Sequence, residues 1–298
     1  MKTIKKAIAL VCAILFLAPA ILIGIPTTNV PLPPSLDAEI SSPDVTPETP
    51  PVEQPPEPET PPQVQPPTEQ PPQVQPPEPE TPPTPIVNYA NYIKVTGNNV
   101  NLRAGAGTNY SSLGQAEEGT RYALIEKVGN WYKTYYRNQT AYIYANYTTS
   151  FTIEQITNKK AEAVIKEGYK LLGVPYIYGA TRLHDGKGNK LKGFSTQKFD
   201  CSSLMQYIFY QGAGKLLDVT TRTQIKQGKY VAPSDLQRGD CIFFTNESRQ
   251  HLSGIERVGH VALYLGNNYI LHTASDFARI EKISATRWSY YIETRRFV

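Results

Sequence analysis

The chain has 298 residues, 26 of them Pro and only three Cys, and carries a formal net charge of +4. Three Cys in unlike settings exclude a disulfide-stapled scaffold, and the crowding of Pro into one stretch leaves roughly 200 residues to fold, enough for one small module and one domain with its own core. The charge is unevenly spread: Pro26 to Ala90 holds ten acidic residues and no Lys or Arg, whereas Asn91 to Val298 holds 27 basic against 16 acidic residues, a net of +11 that draws the folded part to polyanions.

Lys2, Lys5 and Lys6 open the chain, and an uncharged run from Ala7 to Ile25 follows. This is the pattern of an export signal, with a length between those of a signal peptide and a membrane anchor. Ala18-Pro19-Ala20 offers a small-x-small cleavage site, but Ile21 to Ile25 stays apolar beyond it. Residues 1–25 are therefore expected to be a signal peptide or, uncleaved, the chain's sole membrane contact. Export places the protein outside the cytoplasm, where its polyanion is a cell-wall polymer and not nucleic acid. Residues 26–87 are expected to be a disordered Pro-rich linker, because PPEPETPP recurs at Pro55 and Pro76, and PPQVQPP at Pro61 and Pro71.

Residues 88–151 read as a small all-β module. Tyr92-Ile-Lys-Val95, Tyr122-Ala-Leu-Ile125, Trp131-Tyr-Lys-Thr134 and Thr140-Ala-Tyr-Ile143 are aromatic and β-branched runs divided by Gly/Asn turns. The order Val100-Asn-Leu-Arg103, Gly105, Gly107, Asn109, Gly119-Thr120 and Gly129-Asn-Trp131 resembles the bacterial SH3-like domain. That resemblance implies a small barrel that binds the wall or a substrate peptide.

Residues 152–298 change character. Ile153, Ile156, Ala161, Val164, Ile165, Tyr169, Leu171 and Leu172 recur at helical spacing as far as Gly173, and Pro175 ends the helix. A second helix is expected from Cys201 to Gly212, and strands at Cys241–Phe244, His260–Leu265 and Tyr269–Thr273. Helices followed by an antiparallel sheet predict an α+β domain.

Cys201 stands at the expected helix start, where the positive end of the helix favours a thiolate. Cys241 lies inside an apolar run and reads as a buried structural residue. The chain has four His. His184 and His251 fall in loops, whereas His260 and His272 lie on strands joined by Gly266-Asn267-Asn268. A three-residue turn pairs Leu265 with Tyr269 and sets His272 opposite Ala262, on the face of His260. A two-residue turn places the two on opposite faces. The first register allows one imidazole to act as base and the other to hold it. No His, Cys or carboxylate cluster has ligand spacing, so neither metal nor cofactor is expected.

From about Ala161 to Val298 the chain resembles the NlpC family of papain-like cell-wall cysteine peptidases. The motifs are Gly173-Val-Pro-Tyr-Ile-Tyr-Gly179, Asp200-Cys-Ser202, Leu236-Gln-Arg-Gly-Asp240, Gly259-His-Val-Ala-Leu-Tyr-Leu-Gly266 and Leu271-His272. The resemblance implies Cys201 as nucleophile, His260 as base, His272 as its orienting group and Tyr176 beside the oxyanion. Asp200, a carboxylate beside the nucleophile, and Ser202 are further candidates for contacting substrate, Asp200 being equally readable as a helix cap. The resemblance further implies cleavage of peptidoglycan stem peptides after γ-D-glutamate, before the diamino acid. The alternatives are a CHAP-like amidase, whose third residue is usually a carboxylate or amide, and a non-catalytic wall-binding protein. Ser203 and Ala180 replace family Gly residues, and residues 181–199 include an insertion.

Overall fold

The computed structural model describes residues 87–298. The expected export segment and most of the expected linker lie outside these residues. No helix among those described is long and apolar enough to cross a membrane.

The first part is all β. Its strands are β1 (Tyr89–Val95), β2 (Val100–Arg103), β3 (Ser112–Ala116), β4 (Arg121–Ala123), β5 (Glu126–Val128), β6 (Trp131–Tyr136), β7 (Gln139–Tyr144) and β8 (Thr148–Glu154). They form a three-stranded sheet, β4-β1-β8, and a five-stranded sheet, β3-β2-β7-β6-β5. Gly129-Asn130 turns β5 into β6 as expected, with Val128 opposite Trp131. Arg137 and Asn138, both at positive φ, make the two-residue turn from β6 to β7. The module runs further than its turn signals indicate. Ile153, expected to open a helix, is instead buried in β8 opposite Ala90.

The first helix, α1 (Lys159–Lys170), starts only where Asn158 accepts the backbone N–H groups of Lys160 and Ala161. Then come α2 (Cys201–Ala213), α3 (Thr221–Gln224), β9 (Lys229–Val231), β10 (Cys241–Phe244), β11 (His260–Gly266), β12 (Tyr269–Ala274), β13 (Phe277–Lys282), α4 (Ala285–Ser289) and β14 (Tyr291–Arg296). The strands make one antiparallel sheet, β13-β12-β11-β10-β14-β9. The α2 helix is central: Leu204, Met205, Ile208 and Phe209 are fully buried, each such side chain contributing roughly 1.5–3 kcal/mol of apolar burial. At Gly212, a Cβ would come 2.5 Å from the Val164 backbone, so α1 and α2 cross in near-backbone contact.

The β11–β12 hairpin reaches the expected register by an unexpected route. The turn itself is the two residues Asn267 and Asn268, both left-handed, and Gly266 pairs with Tyr269. A bulge between Tyr264 and Gly266 then shifts the ladder by one, so that Leu263 faces Leu271. Ala262 is thereby opposite His272, as the longer turn would have placed it. Leu265 is the bulged residue, not the partner of Tyr269.

The freed Leu265 carbonyl accepts Arg238 Nη1 at 2.7 Å. Arg238, in the Leu236–Asp240 motif, is a buried cation. It pairs with Glu162 of α1 at 2.6 and 3.0 Å and donates to the hydroxyls of Tyr92 in β1 and Tyr169 in α1. Burial works against its charge, but Glu162 and the tyrosines hold the guanidinium above its ordinary pKa. Removing one partner from such a pair strands the other. Arg238→Ala is thus expected to cost about 3–5 kcal/mol of stability, read as a fall in the urea midpoint, whereas an exposed control such as Lys127→Ala leaves it unmoved.

Candidate functional site

Cys201 is the first residue of α2, and Asp200 caps the helix with a φ of −100°. Ser203 N–H donates to Asp200 Oδ1 at 2.8 Å, and Asp200 N–H donates to Ser203 Oγ at 2.9 Å. This reciprocal capping box gives Ser203 a task that the Gly expected there could not perform. Asp200 also accepts Gly179 N–H at 3.2 Å, Ser202 Oγ–H at 3.1 Å and an ion pair from Arg182 at 2.9 Å. The Ser202 hydroxyl in turn accepts Arg182 Nη2 at 2.9 Å. Both side chains are buried and hold the helix start, and both also line the second of the two cavities beside Cys201, so Asp200 caps the helix without being withdrawn from the cavity wall. Gly179 has a φ of +74°, whereas Ala180 has no left-handed backbone, so Ala costs nothing where a second Gly was expected.

Two cavities, about 440 and 430 Å³, flank the thiol, and Cys201 and Tyr176 line both. The first also has His260, Asn246, Ser284 and Arg287 in its wall; the second has Arg182, Arg222 and Arg249. His260 Nε2 lies 2.8 Å from His272 Nδ1, so the diagonal placement across β11 and β12 does join the two rings. That contact leaves His260 Nδ1 as the nitrogen free to serve the cavity. His272 Nε2 stands 3.1 Å from Glu281 Oε1, and Glu281 pairs with Arg287 at 3.0 Å. The structure thus brings Cys201, Tyr176 and His260 to one cavity wall and sets His272 behind His260. His184 is instead buried against α2, its ring tilted toward that of Tyr210, and His251 is exposed.

The electrostatics depart from expectation. Burial pushes the Cys201 thiol up to about 12, with the Asp200 charge adding to it; backbone hydrogen bonds at Val261 and Ser202 and the Arg182 charge oppose the rise without overcoming it. Burial thus opposes the thiolate expected from the helix start, because desolvation of a thiol with 9% exposure works against the partial charge of one helix terminus. Burial lowers His260 well below the ordinary imidazole value, helped by His272 and Arg287. Burial also lowers His272, against the pull of Glu281. Burial disfavours the charged form of both the thiol and the imidazole. Burial likewise raises Tyr176, to about 12, so its hydroxyl stays a proton donor.

Sequence reasoning missed Arg182, Glu281 and Arg287. The signal available for Glu281 was the alternation Ala278-Arg279-Ile280-Glu281, a charged face on the strand next to His272. Arg287 had none beyond its place in α4, which Ser284 caps and the Trp288 indole ties to Asn268. Among the described residues no three His, Cys, Asp or Glu are grouped as metal ligands.

Residues 173–296 match the NlpC/P60 family and residues 98–149 the bacterial SH3 domain. Over 142 residues the chain is 33% identical to the peptidoglycan endopeptidase RipA of Mycolicibacterium smegmatis, covering 47% of this chain and 26% of that protein. Over 130 residues it is 32% identical to a gamma-D-glutamyl-L-lysine dipeptidyl-peptidase of Bacillus subtilis, covering 44% and 38%. The chain thus spans well under half the length of these relatives. A solved NlpC/P60 family protein from Bacillus cereus covers 70% of this chain and 63% of its own at 24% identity, with a TM-score of 0.37.

The buried imidazoles make stability depend on pH. An unfolded His has a pKa of about 6.5, while His260 and His272 are lower when folded. Below 6.5 the unfolded chain binds more protons, so the contribution present above 6.5 is lost as pH falls toward the folded values. The urea midpoint is expected to drop between pH 7.5 and 5.5, and less steeply in His272→Gln. Glu281, held at about 2, loses its contribution only below the ordinary Glu value and does not confuse this window. The raised thiol gives a second expectation. Alkylation of Cys201 should still be accelerating above pH 9, without a plateau near neutrality, and should outpace that of Cys241, which is fully buried.

Proposed function

For a chain that carries an NlpC/P60 domain behind a bacterial SH3 domain, we propose the activity of a peptidoglycan hydrolase, a cysteine endopeptidase cutting stem peptides between γ-D-glutamate and the diamino acid. The observation that carries the chemistry is the placement of Cys201 and His260 on one cavity wall with His260 Nε2 bonded to His272 Nδ1. The proposed bond rests on the γ-D-glutamyl specificity in the name of the Bacillus subtilis relative.

In this reading the neutral pair reacts by general base catalysis. Substrate fills the cavities on both sides of the thiol and displaces water. His260 Nδ1 takes the Cys201 proton as sulfur attacks the γ-carbonyl carbon, so no standing thiolate is needed. The oxyanion is met by the Cys201 backbone N–H, which has no partner within the helix at its first position, and by the Tyr176 hydroxyl. His260 returns its proton to the leaving amine, and water, deprotonated by the same nitrogen, releases the acyl group from sulfur. His272 keeps the ring of His260 in place throughout. The reaction takes place outside the cytoplasm, reached through the expected export segment, and the cationic body favours anionic wall polymers.

The SH3 module holds the catalytic part from behind. Arg137 and Asn138 donate backbone N–H groups to the carbonyls of Leu172 and Lys170, and neither cavity at Cys201 has a wall residue from β1 to β8. Its proposed task is therefore wall binding and support of the fold, not construction of the cleft.

Digestion of purified wall followed by mass spectrometry tests the proposal. The expected products end in D-glutamate on one side and begin with the diamino acid on the other. His260→Ala should lower turnover by at least about 10²-fold, Cys201→Ala should abolish it, and His272→Gln should leave a measurable remainder. Release of L-alanine from the sugar with D-glutamyl bonds intact would reassign the protein as an amidase, and an inert wild-type protein that binds wall would make it a binding module.

A further inference from the structure

Two imidazoles joined by one hydrogen bond share one proton, and its owner decides whether His260 can act as a base. If His272 carries its proton on Nδ1, it donates to His260 Nε2. A neutral His260 must then hold its own proton on Nδ1, the cavity-side nitrogen, and cannot accept another from the thiol. If His272 carries its proton on Nε2, the bond reverses: His260 Nε2–H donates and Nδ1 is bare. The 2.8 Å contact fits either arrangement equally well.

Glu281 breaks the tie. His272 Nε2 is buried and has no well-aligned hydrogen-bond partner; the polar atom beside it is Glu281 Oε1 at 3.1 Å. An ionised carboxylate accepts and never donates. Burial works to raise the Glu281 pKa, but the His272 contact and the Arg287 and Arg279 charges outweigh it and hold the carboxyl near 2. Arg287 reaches Glu281 from α4 at 3.0 Å, and Arg279 faces His272 from the adjoining strand. Around His272 the charged and titratable groups are therefore His260, Glu281, Arg279 and Arg287, and Glu281 alone of the four is an obligate acceptor.

We propose that Glu281 is a positioning residue that fixes the tautomers of both imidazoles, keeping the proton of His272 on Nε2 and so leaving His260 Nδ1 bare toward Cys201. The inference rests on the reading of His260 as the base. Protons balance at each stage. The thiol proton moves to His260 Nδ1, the resulting imidazolium keeps Nε2–H on His272 Nδ1, His272 keeps its proton on Nε2, and Glu281 remains ionised. The carboxylate thus lies one hydrogen bond and one 3.1 Å contact from the developing positive charge and favours it without taking a proton. Arg287, pairing with the carboxylate, keeps it an acceptor.

The test is the ¹⁵N spectrum of the histidine rings, which separates protonated from bare ring nitrogens, recorded without substrate. In the wild-type protein both Nδ1 atoms are expected to be bare and both Nε2 atoms protonated. In Glu281→Ala the ring nitrogens should shift toward the opposite or a mixed state, with kcat falling by about tenfold and KM little changed. Glu281→Gln retains a carbonyl acceptor and should recover the wild-type tautomers and most of the rate. A wild-type spectrum with His260 protonated on Nδ1, or a Glu281→Ala spectrum identical to wild type, would overturn the proposal. Because the spectrum needs no turnover, an inactive protein with the expected tautomers would defeat the functional reading and leave this one standing, and the reverse result would do the opposite.

Discussion

The buried guanidinium of Arg238 is the interaction on which the remaining geometry depends. It joins Tyr92 of the SH3 module, Glu162 and Tyr169 of the first helix, and the Leu265 carbonyl of the sheet. That carbonyl belongs to the bulge. Without the bulge the two-residue turn at Asn267-Asn268 would leave the β11–β12 ladder one step out of register, and because side chains alternate across a sheet, one step turns His272 to the opposite face. A charge far from the thiol thus fixes which imidazole can touch which. A buried cation of this kind costs desolvation that an apolar residue would avoid. Here it is offset by a bidentate carboxylate, two hydroxyls and a carbonyl, and it gives a specific register where a greasy contact would tolerate several.

The same bargain recurs at the helix start. Asp200 is enclosed by two backbone N–H groups, a hydroxyl and Arg182, so the first turn of α2 is held rigidly and Cys201 cannot drift. Enclosure also desolvates the thiol. A helix terminus acts through partial charges over one turn, while full burial withdraws the sulfur from water altogether, and the second effect is larger. Burial at the site therefore disfavours an ion pair held in advance between the thiol and the imidazole.

The module and the helix-and-sheet part share a boundary closer than a linker allows. Gly173 has a φ of +82° and a Cβ there would lie 2.2 Å from the Tyr136 ring, so the loop after α1 closes directly over the module. Phe151 stacks on Tyr269 at 5.0 Å, and a Cβ on Gly266 would lie 2.8 Å from Ile153. The hairpin carrying both histidines therefore has its turn end braced against β8.

Much of this was written in local sequence. The Gly and Asn turns divided the β module, Asp200 was readable as the cap of α2, and the runs holding His260 and His272 placed both rings on strands. These features depend on residues within a few positions of one another, where spacing and backbone preference act directly. Ile153 was misread as helical because its apolar spacing fits either period, and its pairing with Ala90 is a contact more than sixty positions away. Arg238 stood only as one letter of a motif, Glu281 carried no reading at all, and Cys201 read as a thiolate at a helix end. Each took its role from groups distant in sequence, and above all from burial, which decides whether a charge is paired, whether a thiol keeps its proton and which of two registers a hairpin adopts.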